Sequence, residues 1–362
     1  MNSPNYRYLP ITDWLQENIR NQTFAPGQKL PSENQLSQKF KVSRQTVRQA
    51  IAVLEEQQLI SRVRGSGTYV NAATQPTTHK NIGILTSYID DYIFPDLISG
   101  IQGVLAEHNC QMTLKLTYNK VANEKKELRA LLDADIDGLI VEATKSALPS
   151  PNLSLYKAFA ERGVPVVFIN TYPQGLRCNH ITNNDALGAY LATEHLIEKG
   201  HSHIGAILKQ DDQQGHERYR GMVKALYKHD LPLLEETVLW YATESWNQLF
   251  TAPYTDHLIA QLRTVSAVMC YNDAVAFELY KVLKQHGFKI PDDLSVVSFD
   301  NSSLSQMARP PLTTVTHPGR DLGARATQAL LDNIRNPHMK TQYMYQPELI
   351  VRGSTLNKSQ ET

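Results

Sequence analysis

The sequence predicts two units of different fold class: a small α+β unit of helices and a β-ribbon, then a larger two-lobed α/β unit with doubly wound parallel sheets. Three observations predict this. Residues 30–70 carry two capped amphipathic stretches followed by two short β-prone runs around glycines. From residue 81 onward, unbroken apolar runs alternate with amphipathic stretches of helical period, the mark of parallel strands buried on both faces. Between the two, residues 72–80 are polar, contain a proline and show no period, which reads as a linker. The expected boundaries are 1–71, 72–80 and 81–355.

The first capped stretch begins at Ser32, whose hydroxyl can accept from unpaired backbone N–H groups, while Gln35 three positions on can reach back to complete a capping box. Leu36 and Phe40 form its apolar stripe. After a break at Lys41-Val42, Ser43 can cap a second helix in which Val47, Ala50, Ile51 and Leu54 recur at i, i+3, i+4 and i+7 and define a buried face. The opposite face and first turn carry Arg44, Gln45, Thr46 and Arg48, donors and acceptors where a recognition helix presents its N-terminus to the major groove. Residues 59–70 add two β-prone runs around Arg62-Val63-Arg64-Gly65-Ser66-Gly67, whose glycines permit a sharp turn and a close approach to phosphate, with Arg64 at the tip. This is the pattern of a winged helix-turn-helix. Its candidate DNA contacts are Ser32, Glu33 and Asn34, then Ser43, Arg44, Gln45, Thr46 and Arg48, then Arg64, Gly65, Ser66 and Gly67. Any one arginine here could be a solvated surface charge; the combination favours nucleic acid.

Charge agrees. Residues 1–75 hold nine Lys and Arg against five Asp and Glu, a balance of +4, and the zero net charge of the chain leaves −4 for the remainder. A basic head on a slightly acidic body suits a phosphate-contacting module joined to a domain with a different partner. The 41% apolar content suits a globular protein; no run of about 18 apolar residues is present, and MNSPNYRYLP lacks the apolar core of a secretory signal. The expectation is a soluble, cytoplasmic protein. Cys110, Cys178 and Cys270 are odd in number and far apart, which argues against a disulfide framework or a zinc ribbon. His201-Ser202-His203 has no carboxylate or thiol at ligand spacing, so a structural role is expected, with no metal and no cofactor.

In the second unit NIGILT, MTLKLTY, DGLIVE, PVVFIN, HIGAIL, SAVMCY and LSVVSFD read as strands. Helical stretches at 97–108, 122–133, 156–162, 186–199, 216–229 and 273–286 lie between them. Open α/β sheets bind ligands beyond the carboxyl ends of their strands. Asp91 and Tyr92 follow the first strand, Glu142 and Lys145 the third, and Asn170 and Tyr172 the fourth; the second lobe offers Arg218 near a helix start, Asn272-Asp273 and Asp300. Carboxylates and amides accept from sugar hydroxyls, a guanidinium fixes two oxygens, and tyrosine rings cover apolar sugar faces, so the set suits a small polyhydroxylated ligand. For Asp273 a helix-capping role is the expected one.

On LPSE, VSRQTVRQA and GSGTYV, residues 6–71 resemble the GntR family of bacterial regulators. Residues 80–353 resemble the sugar-binding core of the LacI/GalR repressors and bacterial periplasmic binding proteins. HLIEKGHSHIG, ERYRGM, YND, IPDDLSVVSFDNS and PPLTTVTHP carry that resemblance in the family's order. It implies a periplasmic-binding-protein-like fold with Asn272 and Asp300 on the effector, and His317, near a third crossing between lobes, as a further candidate. The family's ligand-binding arginine commonly stands two positions before the arginine of RxxG, a place that His216 holds here, so His216 and Arg218 both stand as candidates. The joined arrangement, with SYIDDYIFPDLISGIQ, DGLIVEATKSALPSPN and QPELIVR, resembles the arabinose-responsive repressors of Gram-positive bacteria. That resemblance implies L-arabinose as effector and genes for arabinose uptake and catabolism as targets; the expected mechanism is a homodimer on a pseudo-palindromic operator, released by the sugar. A response to another sugar, or activation, is the alternative. A sugar-modifying enzyme is disfavoured, because the chain has no GxxxxGK(S/T), no GxSxG and no GxGxxG opening a βα unit.

Overall fold

The structure, a computed structural model, describes residues 8–21, 23–63, 65–71, 80–89 and 93–358. Arg64, Asp91, Tyr92 and residues 72–79 of the expected linker lie outside the described residues. The chain forms two compact units, residues 1–79 and 80–362.

In the first unit α1 (Leu9–Arg20), α2 (Glu33–Phe40) and α3 (Arg44–Glu56) precede an antiparallel ribbon of β1 (Ile60–Val63) and β2 (Gly67–Val70). The capping box at Ser32 is formed: Gln35 N donates to Ser32 Oγ at 3.3 Å and Ser32 N donates to Gln35 Oε1 at 2.8 Å. Ser43 caps α3 by accepting from Thr46 N at 3.2 Å. The sequence reading left out α1, although Ile11, Leu15 and Ile19 recur every four residues and Pro10 suits a helix start. These three side chains close the head's core against Leu36, Val47, Ile51 and Leu54. Gly65 (φ 79°) and Gly67 (φ 142°) take the left-handed backbone on which the ribbon turns.

The second unit begins with lobe 1: β3 (Asn81–Thr86), α4 (Phe94–Glu107), β4 (Gln111–Leu116), α5 (Val121–Asp133), β5 (Gly138–Glu142), α6 (Leu153–Glu161), β6 (Val166–Asn170) and β7 (Asn179–Asn183). The chain then crosses to lobe 2, which opens with α7 (Asp185–Glu198), β8 (Ile204–Lys209), α8 (Gln213–Lys228), β9 (Val238–Tyr241), α9 (Trp246–Leu249) and α10 (Tyr254–Leu262). It continues with β10 (Ala267–Cys270), α11 (Asp273–Gln285), β11 (Ser295–Asp300), α12 (Ser303–Met307) and β12 (Thr313–Thr316). It returns to lobe 1 as α13 (Gly319–Arg335) and β13 (Gln342–Tyr345), and re-enters lobe 2 as β14 (Leu349–Ile350). The six-stranded sheets run β13-β7-β6-β5-β3-β4 and β14-β12-β11-β10-β8-β9. Every pairing in them is parallel except β14 on β12. α4 and α13 cross so closely that a Cβ on Gly100 would stand 2.0 Å from Arg320 O, which only glycine permits.

The lobes are therefore joined at three crossings, 183–185, 316–319 and 345–349. They lie side by side: Asn183 Nδ2 donates to Thr316 O at 3.4 Å, Asn184 Nδ2 to Gln346 Oε1 at 2.9 Å and Glu348 N to Thr316 Oγ1 at 2.9 Å. His317 stands in the second crossing of the chain, not the third as expected. Among the described residues no helix is long and apolar enough to cross a membrane.

His201 is 1% exposed and sits between Ser266 Oγ (2.9 Å) and Leu356 O (3.2 Å). The carbonyl requires a donor, so Nε2 carries the proton and Nδ1 accepts from the hydroxyl. Burial pushes its pKa down to about 4. Because the folded pKa lies below the unfolded value, stability from this group is complete above about pH 6.5 and falls as pH drops toward 4. His201→Gln should therefore be less acid-sensitive than the parent. The two chains' unfolding free energies, measured by denaturant titration, should converge by about 2 kcal/mol between neutral pH and about pH 5.

Candidate functional site

On the head, Asn34, Arg44, Gln45 and Arg48 are exposed along the starts of α2 and α3. Ser32 and Ser43 hold the caps, and Thr46 Oγ1 lies 3.0 Å from Ser43 Oγ. Glu33 receives Arg48 Nε at 2.9 Å, an ion pair that links the two helices and aims the guanidinium along the exposed face. In the ribbon, Ser66 Oγ and Tyr69 Oη are 2.6 Å apart beside Gly65 and Gly67. The head thus presents cations and amides on one surface, suited to phosphates and base edges.

In the second unit Glu142, Asn170, Arg218, Asn272, Asp300 and His317 line one cavity between the lobes. Strand ends supply Glu142 (β5), Asn170 (β6) and Asp300 (β11). Asn170 and Asp300 adopt positive φ (60° and 101°), a backbone that turns their side chains off the sheet edge. Glu142 accepts from Ser87 N at 2.9 Å, Thr86 Oγ1 at 3.1 Å and Asn170 Nδ2 at 3.0 Å. Gly319 N donates to His317 Nδ1 at 3.1 Å, so His317 Nε2 carries the hydrogen given to Asn170 Oδ1 at 3.1 Å. Burial lowers the pKa of His317, with Asp300 and Asp185 pulling the other way, and keeps the ring neutral at neutral pH. Asn272 caps α11 by accepting from Val275 N at 3.0 Å, which leaves its amide nitrogen at the cavity wall.

Arg218 is the deepest of these groups, at 2% exposure. Its Nε donates to Asp185 Oδ1 at 2.8 Å, Nη2 lies 2.7 Å from Asp185 Oδ1 and 3.8 Å from Asp300 Oδ1, and Nη1 donates to the Tyr271 carbonyl. The Tyr271 and Phe299 rings sandwich it at 4.6 and 4.1 Å. Burial opposes its charge, but Asp185 and Asp300 outweigh burial and hold the guanidinium above its usual range.

Four sequence expectations are corrected. His216 is exposed on α8, bonded to Gln210 O at 2.7 Å and packed on Trp240, because two residues along a helix rotate a side chain about 200° away from Arg218. Lys145 does not line the cavity: its ammonium spans the lobes, 3.2 Å from Asp211 Oδ2 and 2.7 Å from Glu244 Oε1. Asp273 is no cap, since Asn272 fills that role. It is fully buried, and accepts from Ser302 N (2.8 Å), Ser302 Oγ (2.9 Å), Thr314 Oγ1 (2.8 Å) and Ser298 Oγ, with burial raising its pKa to about 6. Tyr172 stacks on His180 at 4.2 Å and lines a neighbouring cavity. Sequence reasoning missed Tyr88, Lys209, Asp212, Gln214 and Tyr271, which also line the cavity, and Asp185 behind Arg218. Asp185 sits where an asparagine pair opens a helix, a signal of a cap that hid its role as a counter-ion.

Further contacts join the lobes beside the Lys145 bridge: Ser146 Oγ donates to Asp212 Oδ1 at 2.8 Å and Asn119 Nδ2 to Thr243 Oγ1 at 2.6 Å. They draw the lobes together around the cleft, whose polar core continues past Asp300 and His317 on one side and past Tyr88, Tyr271 and Asn272 on the other into adjoining cavities.

Residues 7–70 match the bacterial regulatory proteins of the gntR family, and residues 193–355 match the periplasmic binding protein-like domain. The whole chain is 35% identical to the arabinose metabolism transcriptional repressor of Geobacillus stearothermophilus, over 96% of this chain and 97% of that one. The chain belongs to this family of transcriptional repressors. The regulator is also 34% identical to the repressor of the same name in Halalkalibacterium halodurans, over 98% of each chain. Its fold is similar to that of a LacI family transcriptional regulator from Enterococcus faecium with bound ribose (TM-score 0.66, 24% identity, 77% of this chain and 99% of that one). It is similar too to a CelR–cellobiose complex (TM-score 0.67, 20% identity, 90% and 100%). The regulator is a DNA-binding transcriptional repressor with a GntR head and a periplasmic-binding-protein-like second unit, and not an enzyme.

Removing Asp185 takes from the buried Arg218 charge its nearest counter-ion and leaves only the longer contact to Asp300. Asp185→Ala should cost roughly 3–5 kcal/mol of stability in the second unit, whereas Asp185→Leu with Arg218→Met should cost much less, as read by denaturant unfolding.

Proposed function

We propose that this repressor acts in the cytoplasm on genes of arabinose utilisation, binds a pseudo-palindromic operator as a homodimer, and is released when L-arabinose occupies the cleft between the lobes. The convergence of Glu142, Asn170, Arg218, Asn272, Asp300 and His317 on one polar cavity carries the reading. The names of its full-length relatives support the choice of sugar and of target genes. Carboxylates at Glu142 and Asp300 take hydroxyl hydrogens, Arg218 and the Asn272 amide donate to ring and hydroxyl oxygens, and Tyr88 and Tyr271 supply flat apolar cover. Exposed Arg44, Gln45 and Arg48 read base edges from α3, and the ribbon approaches phosphate.

The sugar weakens DNA binding only by preferring a lobe arrangement that the operator-bound dimer disfavours; a coupling of about 1–3 kcal/mol gives roughly 5- to 150-fold release. Closure is held by Lys145 between Asp211 and Glu244. Burial acts against the Lys145 charge, but Glu244 and Asp211 overcome it and raise its pKa, so the bridge stays ionised at neutral pH.

Operator binding at fixed salt, titrated in parallel with L-arabinose, D-xylose, D-galactose and D-ribose, tests the proposal. Release by L-arabinose alone is expected, and operator binding indifferent to all four would overturn it. Arg44→Ala should lose about 1–3 kcal/mol of operator affinity and keep its sugar affinity. Asn272→Ala should bind operator normally and resist release. Lys145→Met should weaken sugar binding on the order of tenfold, the effect of reducing the closed population to about a tenth, with operator affinity in the absence of sugar unchanged. An unaltered sugar affinity in Lys145→Met would remove the bridge from the closing mechanism.

A further inference from the structure

Asp300 reaches the cleft from a strained turn. Asp300 and Asn301 both take the left-handed backbone region, at φ 101° and 48°, which residues bearing a Cβ seldom adopt. Such a turn persists only where its surroundings overdetermine it. The next residue, Ser302, stands at the N-cap of α12, yet its hydroxyl makes no cap bond and donates to Asp273 Oδ2 at 2.9 Å instead. Ser302 N donates to the same oxygen at 2.8 Å. Asn301 N donates to Thr314 Oγ1 at 3.2 Å, and that hydroxyl in turn donates to Asp273 Oδ1 at 2.8 Å. Ser298 Oγ, from β11, is the second donor to Oδ1.

Four donors thus converge on one buried side chain, two on each oxygen, at the first residue of α11. A carboxylate accepts at both oxygens, whereas an amide of the same shape accepts at one end and donates at the other. An asparagine there would turn its nitrogen either on Ser302 N–H, which has no way to accept, or on the two hydroxyls, whose hydrogens would then lose their acceptor. Arg352 Nη2 holds the side chain of Asn301, at 2.6 Å from its Oδ1, so the backbone N–H groups of the turn are left to Asp273 and Thr314. We propose that Asp273 is a positioning residue for effector binding: through Ser302 and Thr314 it clamps the strained turn 300–302 and so keeps Asp300 aimed into the cleft. When the clamp is lost the turn relaxes toward ordinary backbone, and the Asp300 carboxylate leaves the place where it meets the ligand.

The inference rests on the cleft reading, in which Asp300 accepts from the sugar. Calorimetric titration of the full chain with L-arabinose, D-xylose, D-galactose and D-ribose tests both. For a sugar that binds the wild type, Asp300→Ala, Asp273→Asn and Thr314→Val should each weaken binding about tenfold or more, while Thr314→Ser, which keeps the hydroxyl, should bind within about threefold of the parent. Added to Asp300→Ala, either Asp273→Asn or Thr314→Val should weaken binding less than about twofold further, because the contact that they position is already gone. A change that merely loosened the fold would multiply the losses. Multiplied losses therefore overturn the proposal, as does parental affinity in Asp273→Asn and Thr314→Val while Asp300→Ala is weakened. Should Asp273→Asn fail to fold, Thr314→Val set against Thr314→Ser carries the same test. Parental affinity in Asp300→Ala, or a wild type that binds none of the four sugars, would instead fault the cleft reading, and the positioning role would fall with it.

Discussion

The buried guanidinium of Arg218 is the constraint around which the second unit is arranged. It comes from α8, is bonded to the first residue of α7 and to the carbonyl just beyond β10, and is ion-paired with the last residue of β11. One charge thus fixes the relative placement of four elements at the point where the chain enters lobe 2. A charge this deep is tolerated only while its partners hold station, because their loss leaves it unpaired in a low dielectric. The aromatic rings above and below complete the enclosure, so the cleft's polar groups are organised before any ligand arrives.

A second polar centre does similar duty without charge compensation. Asp273 gathers hydroxyls from β11, β12 and Ser302, just before α12, and the backbone N–H of Ser302. It sits next to Asn272, the residue that faces the cavity, so the position of Asn272 is set twice, by its own cap to α11 and by its neighbour's network. Lobe 1 has its counterpart in the chain from Glu142 through Asn170 to His317, which reaches across a crossing strand.

The sequence made much of this visible, and the failures have physical causes. Capping residues and apolar period placed α2, α3 and the ribbon because those signals are local. Unbroken apolar runs located the central strands because both faces are buried. The edge strand β13, its neighbour β7 and the return helix α13 went unread: NHITN and QYMY are half polar, and α13 belongs to a lobe the chain had already left. Strand-end position brought Glu142, Asn170 and Asp300 to one cavity, as expected of residues whose backbone dictates direction. It was a poor guide for Lys145, whose long side chain reaches the opposite lobe, and for His216, where helical rotation decides. Asp185 and Asp212 were invisible because their meaning depends on partners 33 and 59 positions away.

The bridge from Lys145 to Asp211 and Glu244 also bears on time. On the proposed mechanism, a ligand enclosed by the lobes departs after the ammonium has left two carboxylates, one of them almost fully shielded from water. The lifetime of the occupied state is then governed by the rate at which the clasp opens as well as by the strength of contacts to the ligand. A cell using such a sensor would respond to the arrival of its signal at the pace of diffusion and capture, and to its disappearance more slowly, retaining for a while a record of a nutrient already consumed.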